Sequence, residues 1–129
     1  LTQHAEPEDF LCRTGGTEFL FLRPRLKKAA QFEQLAFTLL QEIATDRIIG
    51  NNRSAIEANA GIFISSPGEQ VFDHLLTDAA LALRAAKQKG PRKFDRFTPA
   101  MRAAFEESDE IAKELQNALK NGNIVTWFQ

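Results

Sequence analysis

The apolar positions of this chain fall into short dense runs and longer stretches with helical spacing. Two short runs come first, at residues 9–14 and 18–23, and a glycine pair lies between them. Apolar runs joined by a glycine-containing turn predict a β-hairpin, and Pro24 ends its second strand. Glycines in such a turn permit positive φ angles and let a ligand come close to the backbone. The pattern therefore places a candidate binding feature at the hairpin tip.

Three longer stretches carry apolar residues three and four positions apart, which predicts amphipathic helices. The first is predicted over residues 27–45. The second begins at Ser66-Pro67, a cap followed by a first-turn proline, and ends at Gly90-Pro91. The third begins at Thr98-Pro99 and ends at Gly122. The stripe that the second helix is predicted to bury consists of Phe72, Leu75, Leu76, Ala79, Leu83 and Ala86.

Shorter segments between the helices predict strands and a loop. Residues 58–65 form an apolar strand, expected to be buried on both faces. Residues 94–97 alternate phenylalanine with charged residues, as in an edge strand, and residues 124–128 begin a further strand. Residues 50–52 are predicted to be a loop. This order of elements indicates an α/β or α+β sheet domain, and 129 residues favour a single one.

Composition excludes several classes of protein. The formal net charge of −1 gives no electrostatic case for a nucleic-acid partner or for contact with an anionic membrane. No apolar run approaches the roughly 20 residues of a membrane-spanning helix. Acidic residues interrupt the N-terminus early, unlike a signal peptide. The lone Cys12 favours a reducing cytoplasm; we expect it to pack in a strand, and the alternative is a reactive thiol.

The run Arg13-Thr14-Gly15-Gly16-Thr17-Glu18-Phe19 resembles the signature hairpin of the GGDEF family, the diguanylate cyclases that condense two GTP into cyclic di-GMP. The resemblance continues through the strand at residues 59–63 and the helix at residues 75–90, where Lys87 and Gly90 fall in register. It implies an α+β sandwich of the nucleotidyl-cyclase type, a mixed sheet with helices packed on it. The first, central strand of that fold is expected before Leu1, so residues 1–97 are interpreted as the C-terminal portion of a degenerate GGDEF-like domain.

The same resemblance implies a site without its chemistry. Thr17 stands where the family places a metal-binding carboxylate, and a neutral hydroxyl is a poor ligand for a hard cation. The second carboxylate belongs to the strand expected before Leu1, so we assign no catalytic and no metal-binding residue. Gly15 and Gly16 keep the backbone approach to a nucleotide, and Glu18 keeps the fourth signature position. The alternative for Glu18 is a solvated charge at the hairpin tip.

Other positions carry partial matches. Lys87 matches a lysine near the phosphates, although a lysine favoured by the helix dipole is the alternative. Pro91 replaces an assisting arginine, and Ala80 replaces an aspartate. Asp9 remains from the family's Arg-x-x-Asp inhibitory site, but Glu6 reverses the charge of its arginine, so inhibitory binding of cyclic di-GMP is not expected. His4 and His74 lie far apart, without partners at metal-binding spacing.

Residues 98–129 resemble a linker helix and the first strand of an EAL domain, a cyclic di-GMP phosphodiesterase. The resemblance rests on residues 97–101, residues 114–119 and the run Trp127-Phe128-Gln129. None of the acidic metal ligands of an EAL domain lies within the chain. The alternative is a generic C-terminal helix with a buried Trp127.

Together these observations predict a regulatory domain of a cytoplasmic cyclic di-GMP signalling protein. Its expected ligand is GTP, with Mg²⁺, and its expected partner is an adjoining EAL domain of the same parent chain. A structural or dimerisation module is the alternative, and residual cyclase activity is a third hypothesis. Because a missing central strand leaves unpaired edges, we also expect a homodimer.

Overall fold

The computed structural model describes residues 2–44, 47–49, 52–54, 56–66, 68 and 74–121. The helices in these segments are α1 (Ala29–Ile43), α2 (Leu75–Gln88) and α3 (Pro99–Lys120). The strands are β1 (Phe10–Gly15), β2 (Glu18–Leu22), β3 (Arg47–Ile49), β4 (Asn52–Ser54), β5 (Ala60–Ile62) and β6 (Phe94–Arg96). A 3₁₀ turn, Thr2–His4, precedes β1. The predicted α+β class is confirmed.

The strands of the described segments pair two by two. β1 and β2 form the predicted antiparallel hairpin, in which Phe10 lies opposite Leu22 and Cys12, half-buried, lies opposite Leu20. The register shifts between Arg13 and Gly15, just before the turn. β5 and β6 are parallel neighbours, as α2 connects one to the other. No described strand joins the hairpin to the β5–β6 pair.

The core forms where α2 lies on β5 at very short range. A Cβ added to Gly61 would lie 2.2 Å from the carbonyl oxygen of Ala79 and 2.3 Å from the backbone nitrogen of Leu83. Only glycine therefore fits at this point of β5. The buried apolar residues of the described part surround this contact and are Ala36, Leu40, Ile62, Leu81, Ala82 and Ala86.

Two predictions about this region are corrected. Leu76 is 57% exposed instead of buried, whereas Asp78, a charged residue, is 1% exposed. The helix turns Asp78 inward because Arg102 of α3 pairs with it, a partner that the local pattern does not contain.

The predicted loop at 50–52 is also wrong in part, because Asn52 begins β4, which pairs antiparallel with β3. Strands of three residues are too short to show alternation in the sequence.

Some of the predicted helix starts and ends agree with the structure, and others do not. α1 lies inside its predicted range, and α3 begins at Pro99 with Thr98 as its cap residue. α2 begins at Leu75, later than the predicted start at Ser66-Pro67. Gly68 lies in a turn with a φ of 82°, which a right-handed helix does not accommodate, whereas Pro67 and Phe72 lie outside the described residues. The predicted end at Gly122 and the predicted strand at 124–128, including Trp127, also lie outside them.

Arg23 ties the N-terminal segment to the hairpin. Its Nη2 lies 2.6 Å from Oδ2 of Asp9, whose side chain is 1% exposed, and its Nε donates to Oδ1 at 3.0 Å. The same guanidinium donates to the carbonyl of His4 at 3.2 Å and lies 3.1 Å from a carboxylate oxygen of Glu6. The His4 ring in turn contacts Glu42 of α1 at 2.8 Å. Residues 2–9 are thus held by the ion pairs of Arg23 on one side and by the His4–Glu42 hydrogen bond on the other.

The first turns of α3 are attached to α2 in a similar way. The Arg102 guanidinium donates to both carboxylate oxygens of Asp78, at 3.2 and 2.5 Å, and lies 5.4 Å from the ring of Phe97. Arg84 of α2 lies 5.8 Å from the ring of Phe105. Farther along, no residue of α3 is buried. In the described part of the chain, no helix is long and apolar enough to cross a membrane.

The Asp78–Arg102 pair gives an ordered mutational prediction. Arg102→Met leaves a buried carboxylate without its partner, and we expect the free energy of unfolding to fall by about 3 kcal/mol. Asp78→Asn leaves an arginine that is 40% exposed and can reach water, so we expect a smaller loss of about 1–2 kcal/mol. Urea unfolding followed by circular dichroism measures both. Lys113→Met, which removes the exposed Lys113–Asp109 pair of the same helix, is the control. A loss for Asp78→Asn that equals or exceeds that for Arg102→Met would contradict the assignment.

The Asp9–Arg23 pair predicts a pH dependence. Hydrogen bonding to the Arg23 guanidinium holds the pKa of Asp9 below its ordinary value of 3.8. A carboxylate with a lowered folded-state pKa stabilises the fold at pH values above its unfolded-state pKa, and this contribution is lost as the pH falls through the folded-state value. Urea midpoints of wild type and Asp9→Asn should therefore differ by a constant amount at neutral pH and converge below about pH 4. A gap that persists or widens in acid would show that the charge of Asp9 is not the stabilising feature.

Candidate functional site

The tip of the β1–β2 hairpin is an open glycine turn. The φ angle is 151° at Gly15 and 50° at Gly16, both in the region that glycine tolerates best. A Cβ added at either position would meet nothing within 4 Å. The backbone conformation, and not lack of room, therefore requires glycine here. The space around the turn is free for a ligand.

The side chain of Arg13 folds back onto this turn and is hydrogen-bonded to it. Its Nε donates to the carbonyl oxygen of Gly16 at 2.9 Å, and its Nη2 donates to the same oxygen. The Thr14 hydroxyl donates to the carbonyl of Glu18 at 3.4 Å, a long bond across the hairpin end. No role for Arg13 is predicted from the sequence. Its only signal was its place in the signature run, because nothing local shows that its side chain folds back onto the turn.

Lys87 brings α2 to the hairpin tip. The residue lies in the last turn of α2, and its Nζ is 3.6 Å from Oε1 of Glu18. Both side chains are 60% exposed, so this ion pair contributes about 0–1 kcal/mol and either group can exchange its partner for a ligand. The structure therefore brings together the predicted nucleotide-binding residues Gly15, Gly16, Glu18 and Lys87. The position of Lys87 also satisfies the helix-dipole interpretation.

The positions at which the family resemblance indicates substitutions, Thr17, Ala80 and Pro91, are all exposed. Thr17 is exposed within the turn, and Ala80 is exposed on α2. Pro91 follows Gly90, whose φ is 104°. After Pro91, Arg92 adopts a φ of 59°, which is uncommon for arginine. The Asn59 side chain holds this loop, because it donates to the carbonyl of Gly90 at 2.8 Å and accepts from the backbone N–H of Arg92 at 3.1 Å. The Arg92 guanidinium lies 3.8 Å from a carboxylate oxygen of Glu57.

Asp9, the remnant of the predicted inhibitory site, is already engaged. Its carboxylate is buried against Arg23, and Glu6 contacts the same guanidinium. Asp9 and Glu6 are predicted from the sequence, but Arg23 is not. Arg23 follows β2 and lies near Asp9 only because β2 pairs with β1. A ligand that needed the Asp9 carboxylate would have to displace an intramolecular arginine.

The residues at the tip do not fit a magnesium site. The run from Arg13 to Phe19 contains one carboxylate, Glu18, and this carboxylate faces Lys87. Mg²⁺ requires oxygen ligands in near-ideal octahedral geometry, usually including carboxylates. Throughout the described residues, no three histidine, cysteine, aspartate or glutamate side chains form a group that could hold a metal ion. His4 pairs with Glu42, and His74 is exposed just before α2.

A surface depression of the described part lies away from these residues. It is a shallow groove of about 420 Å³ between α1 and β6, lined by Ala30, Glu33, Gln34, Phe37 and Phe94. It contains none of the predicted site residues. The candidate site is therefore an exposed loop surface and not a preformed cavity.

Comparisons with known proteins find relatives that include cyclic di-GMP proteins. The chain is similar to the uncharacterized protein y4lL of Sinorhizobium fredii, with 26% identity over the whole chain and 16% of the relative's length. It is 27% identical over 95% of its length to MucR of Pseudomonas aeruginosa, a bifunctional diguanylate cyclase/cyclic di-GMP phosphodiesterase, and 28% identical over 96% of its length to PdeR of Escherichia coli, a cyclic di-GMP phosphodiesterase. The chain spans 18% of MucR and 19% of PdeR.

The sequence model of the diguanylate cyclase GGDEF domain matches residues 1–93. This match contains the glycine turn, Asn59 with the loop to which it is hydrogen-bonded, and the whole of α2 with Lys87. It covers well over half of the chain. The protein therefore belongs to the GGDEF family.

Proposed function

We propose that this chain is a catalytically inactive GGDEF domain that binds GTP at its hairpin tip and thereby regulates an adjoining cyclic di-GMP phosphodiesterase. One observation carries the proposal. Lys87 of α2 meets Glu18 beside an open Gly15–Gly16 turn, while Thr17 occupies the position of the catalytic carboxylate. The binding surface has kept its form, and the metal-binding group has been replaced.

Inactivity follows from the chemistry of the substituted position. Diguanylate cyclases use metal ions held by carboxylates to polarise the triphosphate and activate the attacking hydroxyl. The Thr17 hydroxyl is neutral and binds hard cations weakly. The remaining carboxylate, Glu18, is paired with Lys87. These residues can hold a nucleotide but supply no group that would activate it.

Nucleotide binding is supported by the shape and charge of the tip. The positive φ angles of Gly15 and Gly16 turn the backbone toward open space, where a phosphate can approach it closely. Lys87 supplies a mobile point charge suited to phosphate. Its exposed ion pair with Glu18 is weak enough to yield to a ligand.

Regulation is supported by the connection between α2 and α3. Lys87 lies near the C-terminus of α2, and Asp78 near its N-terminus is bonded to Arg102 of α3. A ligand at Lys87 thus acts on the helix that holds α3, and α3 leads into the segment that resembles the start of an EAL domain. The names of MucR and PdeR include phosphodiesterase activity, which supports such a neighbour. Coupling also requires that GTP bind two states of the protein with different affinity.

The test is cyclic di-GMP hydrolysis by the longer protein that contains this chain, with and without GTP. We expect GTP to accelerate hydrolysis, and we expect Lys87→Ala to reduce this response severalfold because the phosphate loses its cation. Lys113→Ala removes a lysine of α3 that pairs only locally with Asp109 and should leave the response unchanged. Hydrolysis that is active but indifferent to GTP would reject the sensor function.

A second function, dimerisation without nucleotide binding, is favoured by the exposed face of α3. Ile111, Leu115 and Leu119 recur every four residues and are 59%, 54% and 58% exposed. Amphipathic helices of this kind usually bury their apolar stripe against a partner. The separate two-stranded sheets of the described part also leave strand edges that can recruit a second chain.

Light scattering tests this second function. We expect the wild-type chain to be a dimer at micromolar concentration and Leu115→Glu to be a monomer, since the charge would enter the apolar contact. Gln116→Glu introduces the same side chain one position away, on a residue outside the stripe, and should remain dimeric. A wild-type monomer at every concentration would reject dimerisation through α3.

A further inference from the structure

We infer that the hairpin tip binds the triphosphate of a nucleotide without a divalent cation and that Mg²⁺ weakens this binding. The inference rests on the proposed GTP-binding function and specifies the form of the ligand, a metal-free nucleoside triphosphate. It follows from the balance of charge at the tip and from the partners that each charged group already has.

The charged groups at the tip are two cations and one carboxylate. Arg13 and Glu18 are the charged residues of the signature run, and Lys87 joins them from α2. The local charge is therefore positive, although the chain as a whole carries −1. The C-terminus of α2 would offset part of it, but the carbonyls of Ala86 and Lys87 already accept hydrogen bonds from the backbone N–H groups of Lys89 and Gly90.

Two groups at the tip whose oxygen atoms could bind a cation, the Glu18 carboxylate and the Gly16 carbonyl, are already paired with cations of the protein. The Glu18 carboxylate faces the Lys87 ammonium at 3.6 Å. The Gly16 carbonyl accepts two N–H groups from Arg13, which also holds a full positive charge beside the turn. A divalent ion entering here would have to displace two cations, and Thr17 offers it only a neutral hydroxyl. The Lys87–Glu18 ion pair and the Arg13–Gly16 hydrogen bonds therefore oppose metal binding independently of each other.

The same arrangement favours an anion. Arg13 uses two of its five N–H donors on Gly16 and has others left for phosphate oxygens. Lys87 provides a second cation that can leave Glu18 for a phosphate. A free triphosphate carries more negative charge than its Mg²⁺ complex, so Coulomb attraction to this tip is stronger without the metal. The expected ligand is thus the uncomplexed triphosphate group.

Titration of the full chain with GTP tests the inference, once in EDTA and once in excess MgCl₂ at equal ionic strength. Calorimetry gives the affinity, and the amide NMR signals of Gly15 and Gly16 locate the binding at the tip. We expect Mg²⁺ to weaken binding by roughly three- to tenfold. Arg13→Gln should weaken binding in EDTA and reduce the difference between the two conditions, because it removes one of the two cations.

Replacement of Thr17 provides a matched pair of variants. Thr17→Asp adds a second carboxylate to the tip and should reverse the effect, so that Mg²⁺ strengthens GTP binding. Thr17→Asn has nearly the same size and no charge, and it should retain the wild-type response to Mg²⁺. Reversal in the aspartate variant alone would assign the metal effect to charge at this position.

The remaining outcomes separate the inference from the function on which it rests. GTP binding that needs Mg²⁺, or is strengthened by it, would overturn the inference and leave the GTP-binding function in place. Binding that is equal in both conditions would also overturn it. Absence of GTP binding in EDTA and in MgCl₂ would reject the proposed function itself and leave the dimerisation module.

Discussion

The close approach of α2 to β5 at Gly61 is the constraint on which the other contacts depend. Because Gly61 has no side chain, the backbone of α2 lies closer to β5 than a Cβ at this position would allow. Most of the buried apolar residues of the described part lie on these two elements. Because α2 is fixed there, its two ends are fixed as well. One end carries Asp78 to α3, and the other carries Lys87 to the hairpin tip.

Two buried carboxylates extend this small core to segments that contribute little apolar surface. Asp78 and Asp9 are both shielded from water, and each is hydrogen-bonded by the planar guanidinium of one arginine. A buried charge costs several kcal/mol unless such a partner offsets the desolvation. Each arginine also lies against a phenylalanine ring, Phe97 or Phe21, so its apolar surface is covered too. Each attachment, of residues 2–9 and of α3, therefore includes a bidentate pair whose planar geometry makes it directional.

The sequence predicted the elements that depend on local patterns. The hairpin, α1 and the start of α3 follow from apolar spacing, glycine turns and a Thr-Pro cap, which act within a few residues. Arg23 and Arg102 could not be found in this way, since their partners lie 14 and 24 positions away and meet them only in the folded chain. The inward turn of Asp78 and the exposure of Leu76 have the same origin. At the site, Lys87 and Glu18 were connected by family resemblance and not by spacing, whereas the folding of Arg13 onto Gly16 had no sequence signal.

A threonine at position 17 in place of a carboxylate affects more than one group at the tip, because it determines which charges there are in excess. With a carboxylate at that position, Glu18 and its neighbour would balance Arg13 and Lys87, and a divalent cation would meet no net repulsion. With threonine, the same cations outnumber the carboxylate: Arg13 is hydrogen-bonded to the Gly16 carbonyl and Lys87 is ion-paired with Glu18. The rigid parts of the site, the glycine turn and α2 on Gly61, are unaffected by this exchange. Under the proposed function, Arg13 and Lys87 therefore take the neutralising role toward a triphosphate that metal ions would otherwise have.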